Sequence, residues 1–387
     1  MAGQRAGPAM TSKRSPIPSG PEPQYDNVVS GYETFHSPRP FHCEWGGLLP
    51  EIALAYETWG TLSPARDNAV LLHTGLSASS HAASRDSNPS PGWWESFIGP
   101  GAAIDTDRFF VVCANLLGGC YGSTGPPSPN PRTGRPWATD FPIVTVRDMV
   151  KSQLLLLDHL GIERLHASVG SSLGGMLSLD LAACAPERVG RIASISAALR
   201  SHPQAIALRF VQRQALMSDP DWRGGRYYGH SFPHRGQRVA REIGTITYRS
   251  GPEWQERFGR RRTGDGVPTL DEDFQVESYL AYQGEKFCLQ YDANSYLYIS
   301  KAMDLFDLLD DAPDDGPRID HIRCPALVVG VTTDMLFPVW QQRELAEALD
   351  KRGNSVTYVE LDAPYGHDTF LIDRERVGGA LRTHLEG

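Results

Sequence analysis

Cysteine is scarce in this chain of 387 residues. Its six cysteines (Cys43, Cys113, Cys120, Cys184, Cys288, Cys324) are scattered, with no Cys-x-x-Cys pair, which argues against a zinc ribbon or a dithiol redox motif. Several lie in apolar runs, the pattern of buried free thiols in a reducing cytosol, so a cytoplasmic protein without a metal site is expected. Long hydrophobic runs are also missing. No apolar stretch reaches the roughly 18 residues that a membrane span needs, and the N-terminus lacks the apolar core of a secretory signal. Positive charge is in deficit, with 37 Lys and Arg against 46 Asp and Glu, a net charge of −9 that disfavours nucleic acid as a general partner. The compact basic run Arg260-Arg261-Arg262 reads as a solvated loop. What remains, 40% hydrophobic and 21% charged, is the balance of an ordinary globular enzyme.

Residues 1–25 are rich in Pro, Gly and Ser, and 1–40 together read as a disordered or extended tail. Beyond them, short apolar runs alternate with helical spacings. Ile52–Tyr56, Ala69–His73, Phe109–Cys113, Leu165–Val169, Ile192–Ser196, Ala326–Gly330 and Val356–Leu361 read as strands. Helices are expected over Val146–Leu160, Met176–Ala185, about 339–351 and about 374–385. Strands alternating with helices imply an α/β fold with a mostly parallel sheet covered on both faces. Residues 200–318 break this rhythm with Arg, Tyr, Trp and acidic residues at helical spacings, and read as an inserted helical lid. The core is then 41–199 and 319–387. Asp310, Asp311, Asp314 and Asp315, with Pro313 and Pro317, mark the return to it.

Between the expected strand at 165–169 and the helix after it stands Gly170-Ser171-Ser172-Leu173-Gly174. Gly-x-Ser-x-Gly in that setting is the nucleophile elbow of α/β-hydrolase folds, a turn too tight for side chains on its flanks. A serine hydroxyl needs a histidine to take its proton and a carboxylate to orient that histidine. In this fold the three follow in the order Ser, acid, His. Asp334 follows the strand at 326–330. His367 follows the strand at 356–361, and the other late histidine, His384, sits in a helix end. Ser172, Asp334 and His367 are therefore the expected catalytic triad. Leu173, directly after the nucleophile, is expected to give one oxyanion-hole N–H. Leu76, in the loop after the strand at 69–73, is expected to give the other.

With these residues in place, the chain from about residue 45 onward resembles the homoserine O-acetyltransferase family of amino-acid O-acyltransferases. The likeness is carried by Tyr56-Glu-Thr-Trp-Gly60, Gly119-Cys-Tyr-Gly-Ser-Thr-Gly-Pro126, Ser172-Leu-Gly-Gly-Met176, Ile246-Thr-Tyr-Arg-Ser250 and Gly366-His-Asp368. The resemblance implies that Arg241 pairs with the α-carboxylate of an amino-acid substrate and Asp368 with its α-ammonium. It implies acyl-CoA as co-substrate, no cofactor, and a homodimer formed through lid helices. Two departures bear on specificity. Thr74-Gly75-Leu76-Ser77-Ala78 stands where that family reads His-Ala-Leu-Thr-Gly, and it looks like the branch that acylates L-serine, as do Pro91–Glu95 and Gln275–Tyr279. Arg209 stands where the acetyltransferases carry Asn, and a guanidinium there suits the free carboxylate of a succinyl group; a structural or coenzyme A phosphate role is the alternative. An acetyl donor, an L-homoserine acceptor, and a plain esterase or thioesterase in which water takes the acyl group stay open on these residues.

Overall fold

The protein is described here by a computed structural model covering residues 30–270, 272–312 and 316–387. Eight strands form the central sheet: β1 (Glu33–Ser37), β2 (Ile52–Trp59), β3 (Ala69–His73), β4 (Phe110–Ala114), β5 (Ala167–Ser171), β6 (Ile192–Ile195), β7 (Ala326–Val331) and β8 (Val356–Leu361). Their spatial order is β1-β2-β4-β3-β5-β6-β7-β8. The pairings β1–β2 and β2–β4 are antiparallel, and every later pairing is parallel. This is the α/β-hydrolase fold, and the sheet explains the unbroken apolar runs. In β3, Ala69 and Leu71 enter one apolar cluster while Val70 and Leu72 enter the other, so both faces are covered.

Helices α1 (Val146–His159) and α2 (Leu173–Cys184) pack on the first face through Met149, Leu156, Met176 and Leu177. On the second face lie Trp94, Phe97 and the C-terminal helix at Arg374–Glu386, through Val377, Leu381 and Leu385. Thr145 caps α1 in a reciprocal box with Asp148, which fixes where that helix begins.

The lid lies between β6 and β7. It contains α3 (Pro203–Met217), α4 (His234–Tyr248), α5 (Gly251–Arg257), α6 (Gln275–Cys288) and α7 (Ala293–Asp304). Tyr227, Phe232, Phe287, Tyr291 and Tyr296 give it an apolar cluster of its own. Helix α7 joins lid to core, because Tyr296 enters the lid cluster while Ile299, Ala302 and Met303 enter the main one.

Two expectations need correction, and a third lies partly outside the described residues. The tail expected over 1–40 gives way at Glu33–Ser37, which pairs with Ile52–Tyr56 and buries Phe35 and Ser37; residues 1–29 lie outside those described. The strand expected at 165–169 runs two residues later, because Gly170 pairs with His73 and Ser171 with Ile195. Neighbouring strands on both sides hold Gly170 and Ser171 extended, so the turn shrinks to Ser172 and the next helix starts at Leu173 rather than Met176. Of the acidic return segment, Pro313, Asp314 and Asp315 lie outside the described residues, while Asp311–Ala312 and Gly316–Pro317 pair as a short ribbon.

Candidate active site

Ser172 has φ 57° and ψ −123°, a left-handed backbone that costs a non-glycine residue about 1–3 kcal/mol. Its surroundings enforce that conformation. The Ser172 N–H donates to the Ile195 carbonyl at 2.9 Å, and its own carbonyl accepts from the N–H of Gly175 at 3.0 Å and of Met176 at 3.2 Å. The glycines follow from close approach. A Cβ on Gly170 would lie 2.1 Å from the Gly174 oxygen, and one on Gly174 would lie 2.5 Å from the His73 oxygen. The serine is thus thrust from the C-terminal edge of β5 at the start of α2.

Asp334 and His367 leave the same edge of the sheet, after β7 and β8. Asp334 Oδ1 accepts from the N–H of Leu336 at 2.9 Å and of Phe337 at 2.8 Å. Its other oxygen, Oδ2, accepts from His367 Nδ1 at 2.7 Å. The imidazole stacks on Phe337 at 5.3 Å and meets Phe370 edge-on at 5.4 Å, which holds the ring plane. Burial alone would push His367 down; the charge and hydrogen bond of Asp334, with the charge of Asp368, win and raise it above its ordinary value. Such a ring is oriented with Nδ1 as donor and Nε2 open to accept a proton. The structure thus joins Asp334 to His367 directly. No hydrogen bond joins His367 to Ser172 among the described residues; β5 and β7 stand about 10 Å apart, two strand spacings. Bonds between base and nucleophile often tighten only once substrate is bound.

The N-terminus of α2 abuts the loop after β3, since a Cβ on Gly174 would also come within 3.2 Å of the Thr74 oxygen. Leu173 therefore stands beside the loop that carries Leu76. As the first residue of α2, it has an N–H without an intrahelical acceptor. Gly75, Leu76, Ser77 and Ala78 are half-buried. The Leu76 carbonyl is anchored by the Tyr291 hydroxyl at 2.8 Å, a tie from the lid to this loop.

Arg241 projects from α4 between two rings, 4.6 Å from the Phe287 centroid and 5.3 Å from that of Tyr248. Its guanidinium makes no hydrogen bond or ion pair among the described residues, and Nε is buried without a partner. Tyr248 in turn lies 6.1 Å from the His367 ring, so one aromatic side chain stands near both Arg241 and His367. Asp368, next to that histidine, is not free: Arg249 Nη2 stands 3.3 Å from its Oδ2. Burial raises the Asp368 carboxyl above its ordinary range, against the opposing charges of Arg249, His367 and Arg241. A cation lacking a carboxylate thus stands on the same side of the site as a carboxyl group shared with only one edge of Arg249, whose other edge goes to Glu253.

Comparison with known proteins places the chain in a family. The description of the α/β-hydrolase fold matches residues 68–373. A serine O-succinyltransferase of Emericella nidulans is 49% identical, aligned over 99% of this chain and 86% of its own. A homoserine O-acetyltransferase of Moorella thermoacetica is 44% identical over 89% of this chain and 93% of its own. This chain belongs to the serine and homoserine O-acyltransferase family of α/β-hydrolases. Among solved structures, esterase E22 superposes with a TM-score of 0.83 at 29% identity, covering 92% of this chain and all (100%) of that one.

Within this family frame, Arg209 sits differently from the expectation. It is buried in α3, where Nε donates to Asp304 Oδ1 at 2.6 Å and Nη2 to Ser201 Oγ at 2.8 Å. Arg213 shares the same carboxylate at 2.5 Å. Most of the Arg209 fork therefore serves an ion pair between α3 and α7, and Nη1 alone is left buried without a partner. The physical reason is Asp304, which lies 95 residues away in the chain and was invisible as a competitor. Sequence reasoning also missed Arg249 and Tyr291. Arg249 lies inside the family motif Ile246–Ser250, so a signal was there without a partner to give it meaning. Among the described residues no group of His, Cys, Asp and Glu is placed to hold a metal ion, and no helix is long and apolar enough to cross a membrane.

Proposed function

We propose that this chain is an L-serine O-acyltransferase that moves an acyl group, succinyl by preference, from acyl-CoA to the L-serine hydroxyl through an ester on Ser172. His367 Nε2 takes the Ser172 proton as Oγ attacks the thioester carbonyl. The N–H groups of Leu173 and Leu76 receive the oxyanion. The C–S bond then breaks, and coenzyme A leaves as the thiol with the proton that His367 held. L-serine enters, its α-carboxylate on Arg241 and its α-ammonium on Asp368. His367 takes the proton of its hydroxyl as that oxygen attacks the acyl ester, and returns it to Ser172 Oγ as the bond from Oγ to the acyl carbon breaks. The O-acyl-L-serine product suits a sulfur-assimilating step toward cysteine. No metal or bound organic cofactor enters this scheme.

The observation that carries the reading is Arg241, a guanidinium held by Phe287 and by Tyr248, the ring that also faces His367, with no carboxylate of its own among the described residues. A plain ester substrate gives such a cation no partner; an amino acid does. The preference for serine and succinyl rests on the Emericella relative and on the free Nη1 of Arg209. The Moorella relative supports acetyl transfer to L-homoserine as the second reading, and the esterase likeness supports hydrolysis. A matrix of succinyl-CoA and acetyl-CoA against L-serine and L-homoserine, read by product mass, decides among them. Coenzyme A release at one rate with and without either amino acid would overturn acyl transfer in favour of hydrolysis.

A cytoplasmic homodimer fits the same reading. Phe210 and Val211 of α3, Val239 and Ile246 of α4, and Tyr282 of α6 are exposed apolar side chains on lid helices. A second copy of the chain packed on them would remove that surface from water.

A further inference from the structure

Glu57 lies in β2 within the Tyr56–Gly60 motif, fully buried, and the reaction above makes no use of it. Taking a carboxylate out of water costs several kcal/mol unless it is paired and hydrogen-bonded. Here both oxygens are engaged, and both partners belong to one loop. Oε1 accepts from Ser80 Oγ at 3.0 Å, and Oε2 accepts from His81 Nδ1 at 2.9 Å. His81 Nε2 lies 2.7 Å from the Ser90 carbonyl. Nε2 also lies 3.3 Å from Ser90 Oγ. A carboxylate only accepts, so His81 Nδ1 is the donor to Glu57. Asn115, at the end of β4, closes the network. Its Oδ1 accepts from the Ser80 N–H at 2.6 Å, and its Nδ2 donates to Ser80 Oγ at 3.0 Å and to the Tyr121 carbonyl at 2.6 Å.

The loop so held is the one that carries Leu76. Its residues 74–80 are small apart from Leu76, and a Cβ on Gly75 would meet nothing within 4 Å. Leu76 itself packs against the main and lid clusters; the small residues that follow it offer little to pack, so hydrogen bonds set their path. At one end the Tyr291 hydroxyl holds the Leu76 carbonyl. Further along, Trp93 Nε1 donates to the Ser79 carbonyl at 2.9 Å. At the far end Glu57 grips Ser80 and His81. We propose that Glu57 and His81 are positioning residues for the oxyanion hole: their buried hydrogen-bonded pair, with Ser80, sets the place of the Leu76 N–H. A neutral side chain in β2 would be cheaper to bury, but it would not bind two successive loop residues from one rigid strand. The inference rests on acyl transfer through Ser172.

The experiment compares the parent enzyme with Glu57→Gln and Ser80→Ala. Ester acylation of Ser172 is followed by the p-nitrophenolate burst from a p-nitrophenyl ester. An alkyl boronic acid, whose serine adduct puts an oxygen in the hole, probes the same donors at equilibrium. KM for L-serine and the melting temperature are measured alongside. A misplaced oxyanion donor costs up to about 100-fold, so acylation rate and boronate affinity are expected to fall together by about 10- to 100-fold, with KM for L-serine within about threefold. A purely structural role would lower the melting temperature without moving boronate affinity per folded site. Ser80→Ala removes one hydroxyl from the buried network, leaves the Glu57–His81 bond in place, and decides the matter if Glu57→Gln does not fold. Parental acylation and boronate affinity in a folded variant overturn the inference alone. A parent enzyme that forms no acyl-Ser172 overturns the proposed function and this inference with it.

Discussion

Asp334→Asn is the substitution that tests the triad most directly, because the structure dictates how the new amide must sit. The Leu336 and Phe337 N–H groups both point at Oδ1, so the amide oxygen turns toward them and keeps both bonds. The amide NH2 is left facing His367 Nδ1, where Oδ2 accepts at 2.7 Å. Two donors cannot share that contact. His367 must move its proton to Nε2, which can then no longer accept from Ser172. A tautomer error of this kind costs about 10,000-fold in the Ser-His-Asp template, or about 5 kcal/mol of transition-state stabilisation. Folding should suffer little, by no more than about 2 kcal/mol, because the backbone bonds persist and a buried charge is removed. The assay is rapid mixing with acyl-CoA, following free thiol release and acyl-Ser172 by intact-protein mass, with a melting curve as the folding control. A folded variant that acylates within about tenfold of the parent would show that Asp334 does not orient the base.

The pH profile follows from the same pair. His367 is raised above 6.5 by Asp334 and Asp368 against the opposing effect of burial, so the acidic limb of kcat/KM should lie above pH 6.5 and move lower in Asp334→Asn; a limb that stays put refutes the coupling. By linkage, the stability this pair adds is fully present below pH 6.5 and is lost as pH rises through the raised folded value, which melting curves across that range will show. Arg241→Gln should raise KM for L-serine by about 10- to 100-fold, the worth of a charged hydrogen bond, while acyl-Ser172 forms at the parental rate; equal loss in both half-reactions would place Arg241 elsewhere. Gly174→Ala puts a Cβ 2.5 Å from the His73 oxygen, so α2 must shift and kcat should fall by at least about tenfold, whereas Gly379→Ala, with nothing within 4 Å, should leave kcat unchanged. Arg209→Asn should cut the succinyl-over-acetyl preference; a lower melting temperature with that ratio unchanged would assign Arg209 to the α3–α7 ion pair alone.

Much of the scaffold was legible because its signals are local. The runs at 69–73 and 356–361 are bounded by turn residues and match β3 and β8 to the residue. The elbow was readable because two glycines flank one serine, although strand pairing set its length. The edge strand β1 was not, since Glu33–Ser37 carries a weak alternation and becomes a strand only against Ile52–Tyr56. Polar partners were the least legible. Nothing near Arg209 in the chain points to Asp304, which takes most of its guanidinium, and Glu57 looked like one more letter of a motif until Ser80 and His81 closed on it.

The sequence by itself determined the alternation of strands and helices, the order of nucleophile, acid and base, and the glycines that let the serine turn. Those follow from periodicity and backbone sterics, which act over a few residues. Only the tertiary structure decided which charges are paired inside the protein and which are left without a partner. Arg249 is given to Asp368 while Arg241 keeps its charge unpaired. That choice depends on which side chains meet across the fold, and Coulomb's law acts on distance in space, not on separation along the chain.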